Sequence, residues 1–191
     1  MTKRSRTAAL MIVGAASFSL AGCRDEAVDA QAFPDLQSCL NAAGPDSLFS
    51  PEDCQTGFDQ AQALNVETAP RYDSLAVCEE QYGVGNCGSE AQASPGGSGS
   101  IFMPLIAGYL IGSMMSGGRG AAAQPLYRTA DGRFTNPAGN ATYSNNTGKA
   151  KLSPAAFTKA PTTVGKPPMS KATAVSRGGF GASAPRSSVG G

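Results

Sequence analysis

Two similar stretches decide the fold expected of this chain: FPDLQSC at residues 33–39 and YDSLAVC at residues 72–78. Each carries an aromatic residue, a leucine and a cysteine at three-residue spacing, which places all three on one side of a helical turn. A second cysteine follows each stretch, Cys54 after the first and Cys87 after the second. The repeat therefore favours two helical units, each closed by its own disulfide.

Helix signals around these stretches predict one small module. Helices are expected over residues 35–43, 50–67 and 73–83. The middle one begins with Ser50, Pro51 and Asp53, the pattern of a capping box with proline at the first helical position. Residues 33–88 are therefore predicted to form a small all-α, disulfide-stapled module.

The start of the chain has the composition of a lipoprotein signal peptide. A basic start precedes an almost uncharged run from Ala8 to Leu20, which is too short for a bilayer crossing of about 20 residues. The run ends in a lipobox at Cys23, so residues 1–22 should be removed and this cysteine should carry the lipid. The alternative is an ordinary secretory signal cut near Ala21, which would leave Cys23 as an unpaired thiol.

Attachment and sorting follow from this start. Two or more acyl chains hold a protein stably on a membrane where one chain is marginal. Arg24 follows the lipidated cysteine, where an aspartate would be the usual signal for retention at the inner membrane. We expect a periplasmic protein on the inner leaflet of the outer membrane.

Four cysteines are left once Cys23 is assigned to lipid: Cys39, Cys54, Cys78 and Cys87. An even number in an exported chain predicts two disulfides, because that compartment is oxidising. Three pairings are possible, and the repeat favours Cys39 with Cys54 and Cys78 with Cys87. Closing a loop of this size stabilises a fold by about 3 kcal/mol in the chain-entropy model.

Charge divides the mature chain into two opposite parts. Residues 23–100 carry 13 acidic and 2 basic side chains, whereas residues 101–191 carry 10 basic and 1 acidic. The basic part has few aromatic residues among its lysines, so nucleic acid is not the expected partner. Polyanions of the envelope, or the acidic part of the same chain, are the expected targets.

An apolar segment, residues 101–116, follows a linker. Its first fifteen residues carry no charge and are predicted to form a short helix of about 22 Å, less than the ~30 Å hydrocarbon core. Small residues recur at every fourth position and would leave one helix face smooth for a membrane or partner contact: Pro104, Gly108, Gly112 and Ser116. The alternative is burial of the segment against the cysteine module or the membrane surface.

The other segments are expected to carry little structure. Residues 23–32 would be a tether, residues 89–100 a flexible linker, and residues 117–143 a semi-ordered region rich in glycine and aromatic residues. Residues 144–191 are predicted to be a basic, disordered tail, since they can bury too little apolar surface to offset their ordering entropy. Within that tail only residues 177–181, with Phe180 among glycines, form a pattern.

The chemistry open to the chain is limited. It has no histidine, which removes Ser/His/Asp and Cys/His nucleophile systems and any histidine-ligated metal site. The cysteines lack the C-x-x-C spacing of redox and zinc centres, and the glycine-rich stretches lack the Walker lysine. No catalytic residue, cofactor or metal is therefore predicted.

The chain resembles the YgiB family of proteobacterial lipoproteins, a domain family of unknown function. The resemblance rests on the four-cysteine frame and on several motifs in the same order: Ala69 to Tyr72, Tyr82 to Cys87, Met103 to Gly112, Gln124 to Leu126 and Arg177 to Gly181. It implies no catalytic residues.

Sequence therefore favours a non-enzymatic, lipid-anchored envelope protein acting as an interaction or assembly factor. It would contact the membrane through the lipid on Cys23, and an unknown partner or a second copy through residues 101–116. One alternative is a thiol-linked redox or enzymatic role using Cys78 and Cys87. Another is a small oligomeric protein that perturbs membranes.

Overall fold

A six-stranded antiparallel sheet organises the protein, with the strand order β7-β6-β5-β4-β1-β8. The structure is a computed structural model and describes residues 27–113 and 121–176. The sheet strands are β1 (Val28–Phe33), β4 (Gly108–Ser113), β5 (Ala121–Arg128), β6 (Phe134–Thr135), β7 (Thr142–Tyr143) and β8 (Gly148–Leu152). A separate two-stranded hairpin is formed by β2 (Cys87–Ser89) and β3 (Phe102–Pro104).

Helices cover this sheet and frame the hairpin. They are α1 (Leu36–Ala42), α2 (Pro51–Thr68), α3 (Leu75–Tyr82), α4 (Glu90–Ala93) and α5 (Lys171–Ser176), with a 3-10 turn at Pro154–Phe157. The expectation of a small all-α module with an apolar helix and a disordered tail is therefore wrong. The described chain is a mixed α/β fold in which strands from both ends share one sheet.

The three helices of the cysteine region begin where the sequence predicted. The Ser50 hydroxyl accepts from the Asp53 amide at 3.1 Å, and the Asp53 carboxylate accepts from the Ser50 amide at 2.9 Å, so the capping box of α2 is formed. Asp35 caps α1 through the Ser38 amide at 2.7 Å. Gly83 ends α3 with φ of +87°, a conformation that glycine adopts without strain.

One face of the sheet packs against α1 and α2. Tyr109 and Ile111 of β4 point to this face and are completely buried. Gly57 of α2 lies directly over Ile111, since a Cβ there would come within 3.0 Å of its side chain. A small residue at this point lets the helix approach the sheet closely.

The opposite face of β4 explains the four-residue spacing of the apolar segment. Gly108 and Gly112 share this face because residues four apart in a strand point the same way. A Cβ on Gly112 would come within 2.8 Å of Val28 and would also meet the Phe157 ring. The glycines therefore make room for packing inside the fold, and the predicted helix is replaced by β3 and β4.

Both disulfides form in the favoured pairing. Cys39 bonds to Cys54 and joins α1 to α2, whereas Cys78 bonds to Cys87 and joins α3 to β2. The aromatic residue before each helix lies outside it: Phe33 ends β1 opposite Tyr109, and Tyr72 forms a bridge with Phe102. Each repeat therefore leads into a helix closed by its own disulfide, but the second unit is a helix bound to a strand and the three positions do not share one helical face.

Segments expected to be linker or tail contribute to the fold. Residues 89–100 connect the strands of the β2–β3 hairpin and include α4, and the tether contains most of β1. Lysines of the basic part pair with carboxylates of the acidic part: Lys151 with Asp29, Lys159 with Glu67 and Lys171 with Glu80. Opposite charge on the two parts thus serves contacts within the chain.

Candidate functional site

A cavity of about 760 Å³ lies where the cysteine region meets the C-terminal chain. Its walls come from four separate segments, namely residues 68–72 at and beyond the end of α2, residues 81–82 of α3, residues 137–139 after β6, and residues 160–174. We call residues 160–174 the C-terminal strap. A volume of this size falls within the range of roughly 300–1,000 Å³ typical of ligand sites.

The lining of the cavity is more apolar than polar. Its residues are mostly prolines, alanines and tyrosines, with five other polar or charged side chains among them: Thr68, Pro70, Arg71, Tyr72, Gln81, Tyr82, Pro137, Ala138, Gly139, Ala160, Pro161, Thr163, Lys166, Pro167, Met169 and Ala174. Ala138, Lys166 and Pro167 are exposed at the rim, whereas Tyr72, Tyr82 and Ala174 are buried. Such a surface suits an apolar side chain or a short extended segment.

Arg71 joins the elements that form the cavity. Its side chain is only 4% exposed, and its Nε donates to the Glu90 carboxylate at 2.8 Å. Its Nη2 donates to the Val66 carbonyl at 2.7 Å, and its Nη1 donates to the Thr163 hydroxyl. One guanidinium therefore connects the end of α2, the start of α4 and the C-terminal strap.

Glu90 is held as a carboxylate by this arrangement. Its pKa is lowered first by the hydrogen bond from the Ser98 amide at 3.0 Å, and then by the Arg71 side chain. The ionised form is therefore favoured, as a buried arginine requires, because an unpaired charge away from water is costly.

Backbone hydrogen bonds fix the C-terminal strap at two further points. The Thr163 amide donates to the Glu67 carbonyl at 2.9 Å, and the Met169 amide donates to the Arg71 carbonyl at 2.7 Å. The Asp73 amide then donates to the Met169 carbonyl at 3.1 Å. The strap is thus part of the folded structure on the cysteine region.

A cluster of tyrosines forms the floor beside Arg71. The Tyr82 ring meets Tyr72 and Tyr127 edge-on, with ring centroids 6.1 and 5.9 Å apart. Burial raises the pKa of Tyr82 well above its ordinary value and also raises that of Tyr127, whose hydroxyl donates to Asn65 at 3.0 Å. These phenols stay neutral at physiological pH, so they can hydrogen-bond but cannot act as bases there.

The structure does not bring together the residues predicted for a membrane or partner contact. Pro104 lies in β3 and is buried, and Gly108 and Gly112 lie in β4 and are buried as well. Ser116 and the lipid site Cys23 lie outside the described residues, as does the tail pattern at 177–181. Pro104, Gly108 and Gly112 therefore do not form one exposed face.

The disulfide cysteines have structural positions. Cys39, Cys54 and Cys78 are fully buried, and Cys87 is 9% exposed. An attacking thiolate needs access to the sulfur atoms, which this packing restricts. A redox role for Cys78 and Cys87 would therefore lack sulfur atoms that another thiol can reach.

The described residues contain neither a membrane-spanning helix nor a metal-binding cluster. Within residues 27–113 and 121–176, no helix has the length and apolar composition needed to cross a membrane. The same part of the chain holds no group of three or more cysteine or carboxylate side chains placed to bind a metal ion.

Sequence reasoning missed Arg71 as the centre of this site. The signal was present, because Arg71 is the only basic residue between Arg24 and Arg119. A lone cation in an acidic segment points to a specific carboxylate partner. Only the fold identifies Glu90 as that partner, 19 residues further along the chain.

Comparison with known proteins places the chain in a family. A family described as "Protein of unknown function (DUF1190)" matches residues 27–190. A UPF0441 protein of Erwinia tasmaniensis is 34% identical over 182 residues, which cover 88% of this chain and 77% of that protein. A UPF0441 protein of Klebsiella pneumoniae is 33% identical over 187 residues, covering 91% and 79%.

No solved structure matches the chain. The family match extends over all of the described residues, including both disulfides, the sheet and the C-terminal strap. The resemblance seen in the sequence motifs is therefore confirmed. The chain belongs to the DUF1190 family, the YgiB-type proteins of unknown function.

Proposed function

We propose that the protein is a lipid-anchored, non-enzymatic binding protein of the cell envelope whose cavity holds a segment of a partner. The observation that carries the proposal is the cavity of about 760 Å³, built from four chain segments and connected by Arg71. Its walls are fixed by one disulfide and one buried ion pair, so the site exists before the partner arrives. Preorganisation of this kind lowers the entropic cost of binding.

The chemistry of the cavity indicates the kind of partner segment. Prolines, alanines and tyrosines make up most of the lining, and Lys166 provides a positive charge at the rim. An extended segment with an apolar side chain and a nearby carboxylate would suit both features. The buried Arg71 already has Glu90 as its counterion, so it is not available to bind an anion.

The lipid anchor is supported by the cysteine count. Cys39 pairs with Cys54 and Cys78 with Cys87, so the fifth cysteine of the sequence, Cys23, has no further cysteine in the chain as a partner. Mass spectrometry of the mature N-terminus tests the anchor. We expect the chain to begin at Cys23 with a diacylglycerol thioether and an amide-linked acyl chain. A free N-terminal thiol, or a start at another residue, would remove the anchor from the proposal.

Site-specific photo-crosslinking in cells tests the cavity. A p-benzoylphenylalanine is placed at Ala138, which is exposed on the cavity rim, or at Ala42, which is exposed at the end of α1. We expect a discrete protein adduct from position 138 alone. The adduct should be lost when Lys166→Glu reverses the rim charge. Equal adducts from both positions, or an adduct insensitive to that substitution, would contradict the proposal.

A further inference from the structure

We infer that Gln81 recognises the main chain of the segment that the cavity holds. Its side-chain amide would pair with the N–H and C=O groups of one residue of that segment. The inference rests on the proposed function, because it names the chemistry by which the same cavity selects its ligand. The ligand class is an extended peptide, bound through its main chain at Gln81 and through an apolar side chain in the rest of the cavity.

Gln81 is a buried residue of the cavity wall whose side-chain amide is unpaired. It lies in the last turn of α3, lines the cavity and is only 8% exposed. Its main-chain carbonyl accepts from the Ala130 amide at 3.0 Å, but its side chain makes no hydrogen bond with any residue of the described ranges. Native proteins leave few buried polar groups unpaired. The amide therefore points to a ligand that supplies the missing bonds.

The other polar side chains of the lining either have partners within the fold or face solvent. Arg71 is paired with Glu90. The hydroxyls of Thr68 and Thr163 donate to main-chain carbonyls, each at 2.6 Å, and the two tyrosines of the lining meet edge-on. Lys166 is exposed at the rim. Among the described residues of the lining, the buried amide that can still bind a ligand is thus that of Gln81.

The chemistry of a carboxamide selects its partner. The group carries an acceptor oxygen and an NH2 donor side by side, so a ligand satisfies both only with a neighbouring donor and acceptor. One residue of an extended chain offers this pair, since its N–H and C=O point the same way and exchange two bonds with the opposite residue in an antiparallel ladder. The prolines and alanines of the lining then receive the apolar side chain.

The fold holds Gln81 in place before a ligand binds. Cys78, three residues earlier in α3, is bonded to Cys87 of β2. The Ala130 amide fixes the main chain at Gln81 itself, and Gly83 ends the helix two residues later. A recognition side chain on a rigid element loses less freedom on binding than one on a mobile loop.

NMR of the side-chain amides in the purified full-length protein tests the inference. The probe is N-acetyl-L-phenylalanine N-methylamide, and the control probe carries a methyl group on the phenylalanine nitrogen, which removes the N–H donor and keeps the side chain. We expect the Nε2 resonances of Gln81 to shift with the first probe, and the control to bind at least about fivefold more weakly. Equal binding of both probes, or no shift at Gln81, would overturn the inference. Shifts confined to other lining residues would do so while leaving the cavity as a binding site.

Gln81→Met separates recognition from a structural role. Methionine has a similar length and no amide, and the amide it replaces is unpaired in the fold. We therefore expect the melting temperature to rise or to stay within about 2 °C, while binding of the first probe falls at least about fivefold. Gln81→Glu keeps an acceptor but loses the NH2 donor, so it should weaken binding as well. A larger fall in melting temperature, unchanged binding by Gln81→Met, or tighter binding by Gln81→Glu would overturn the inference. The cellular adduct from position 138 and its loss under Lys166→Glu are read independently, so either idea can fail alone.

Discussion

Replacing Arg71 by methionine is the sharpest test of how the cavity is built. Methionine keeps much of the apolar stem and removes the guanidinium, so the Glu90 side chain, which is only 15% exposed in the intact protein, loses its counterion. Breaking a buried ion pair at one partner costs about 3–5 kcal/mol. We expect the lower end of that range, about 3 kcal/mol, because the Ser98 amide still donates to Glu90.

Urea unfolding of the purified protein with its disulfides intact measures this cost. In thermal unfolding, a loss of about 3 kcal/mol should lower the melting temperature of a chain of this size by roughly 6–12 °C. In a Glu90→Gln background the same substitution should cost at least about 1 kcal/mol less, since no carboxylate is stranded. Arg128→Met removes an exposed arginine of β5 and should change stability by less than about 0.5 kcal/mol.

The pH dependence gives an independent check. Because the pKa of Glu90 is lower in the folded protein than in the unfolded chain, its stabilising contribution is complete above the ordinary glutamate pKa. The contribution is lost as the pH falls through the lowered value. Arg71→Met should weaken this dependence. If the substitution cost the same in both backgrounds, or less than about 1 kcal/mol, Arg71 would not be joining these elements.

Further substitutions test the packing and the cross-links of the fold. Tyr127→Phe should cost about 1–2 kcal/mol in thermal unfolding, because it leaves a buried Asn65 oxygen unpaired. Tyr109→Phe should be neutral or stabilising, since among the described residues the Tyr109 hydroxyl has no hydrogen-bond partner and burial raises its pKa to about 12; a clear loss of stability would contradict the structure. Gly112→Ala should cost about 1–3 kcal/mol by overpacking, whereas Gly44→Ala, with nothing near its Cβ, should be close to neutral. Replacing Cys39 and Cys54 together by alanine should cost about 3 kcal/mol, and no change in urea midpoint would argue against that bond.

Local signals predicted the helices and disulfides well because both depend on neighbouring residues. The Ser50–Asp53 capping box and the Gly83 helix end are short-range features, and the structure contains both. The cysteine pairing was favoured from the repeat of two short stretches, and each bond spans few residues. Contacts of this kind can be predicted from a single short segment of the sequence.

The sheet was missed because its pairings join distant residues. β1 lies between β4 and β8, so the strand at the start of the described chain is held by residues more than 70 positions later. The run at Gly108–Ser113 is buried on both faces, and a short apolar strand of that kind has no alternation to distinguish it from a helix. The four-residue spacing of Gly108 and Gly112 fits the period of a helix and the period of a strand alike.

The tail expectation failed for a related reason. Amino-acid composition indicates only the apolar surface of a segment's own side chains, and residues 144–176 have little of it. Their order comes instead from partners supplied elsewhere: β1 for β8, the sheet face for Phe157, and the carbonyls of Glu67 and Arg71 for the C-terminal strap. Arg71 was overlooked for the same reason, since its role exists only where these segments meet.

Amide hydrogen exchange of the full-length protein tests the central claim, that the cavity is a preformed part of the folded chain. Thr163 and Met169 donate their amides to Glu67 and Arg71, so both should exchange as slowly as amides within α2 and be released together with them. Exchange at the rate of an unstructured peptide at these two positions, with α2 still protected, would show that the strap does not close the cavity. That result would contradict the account.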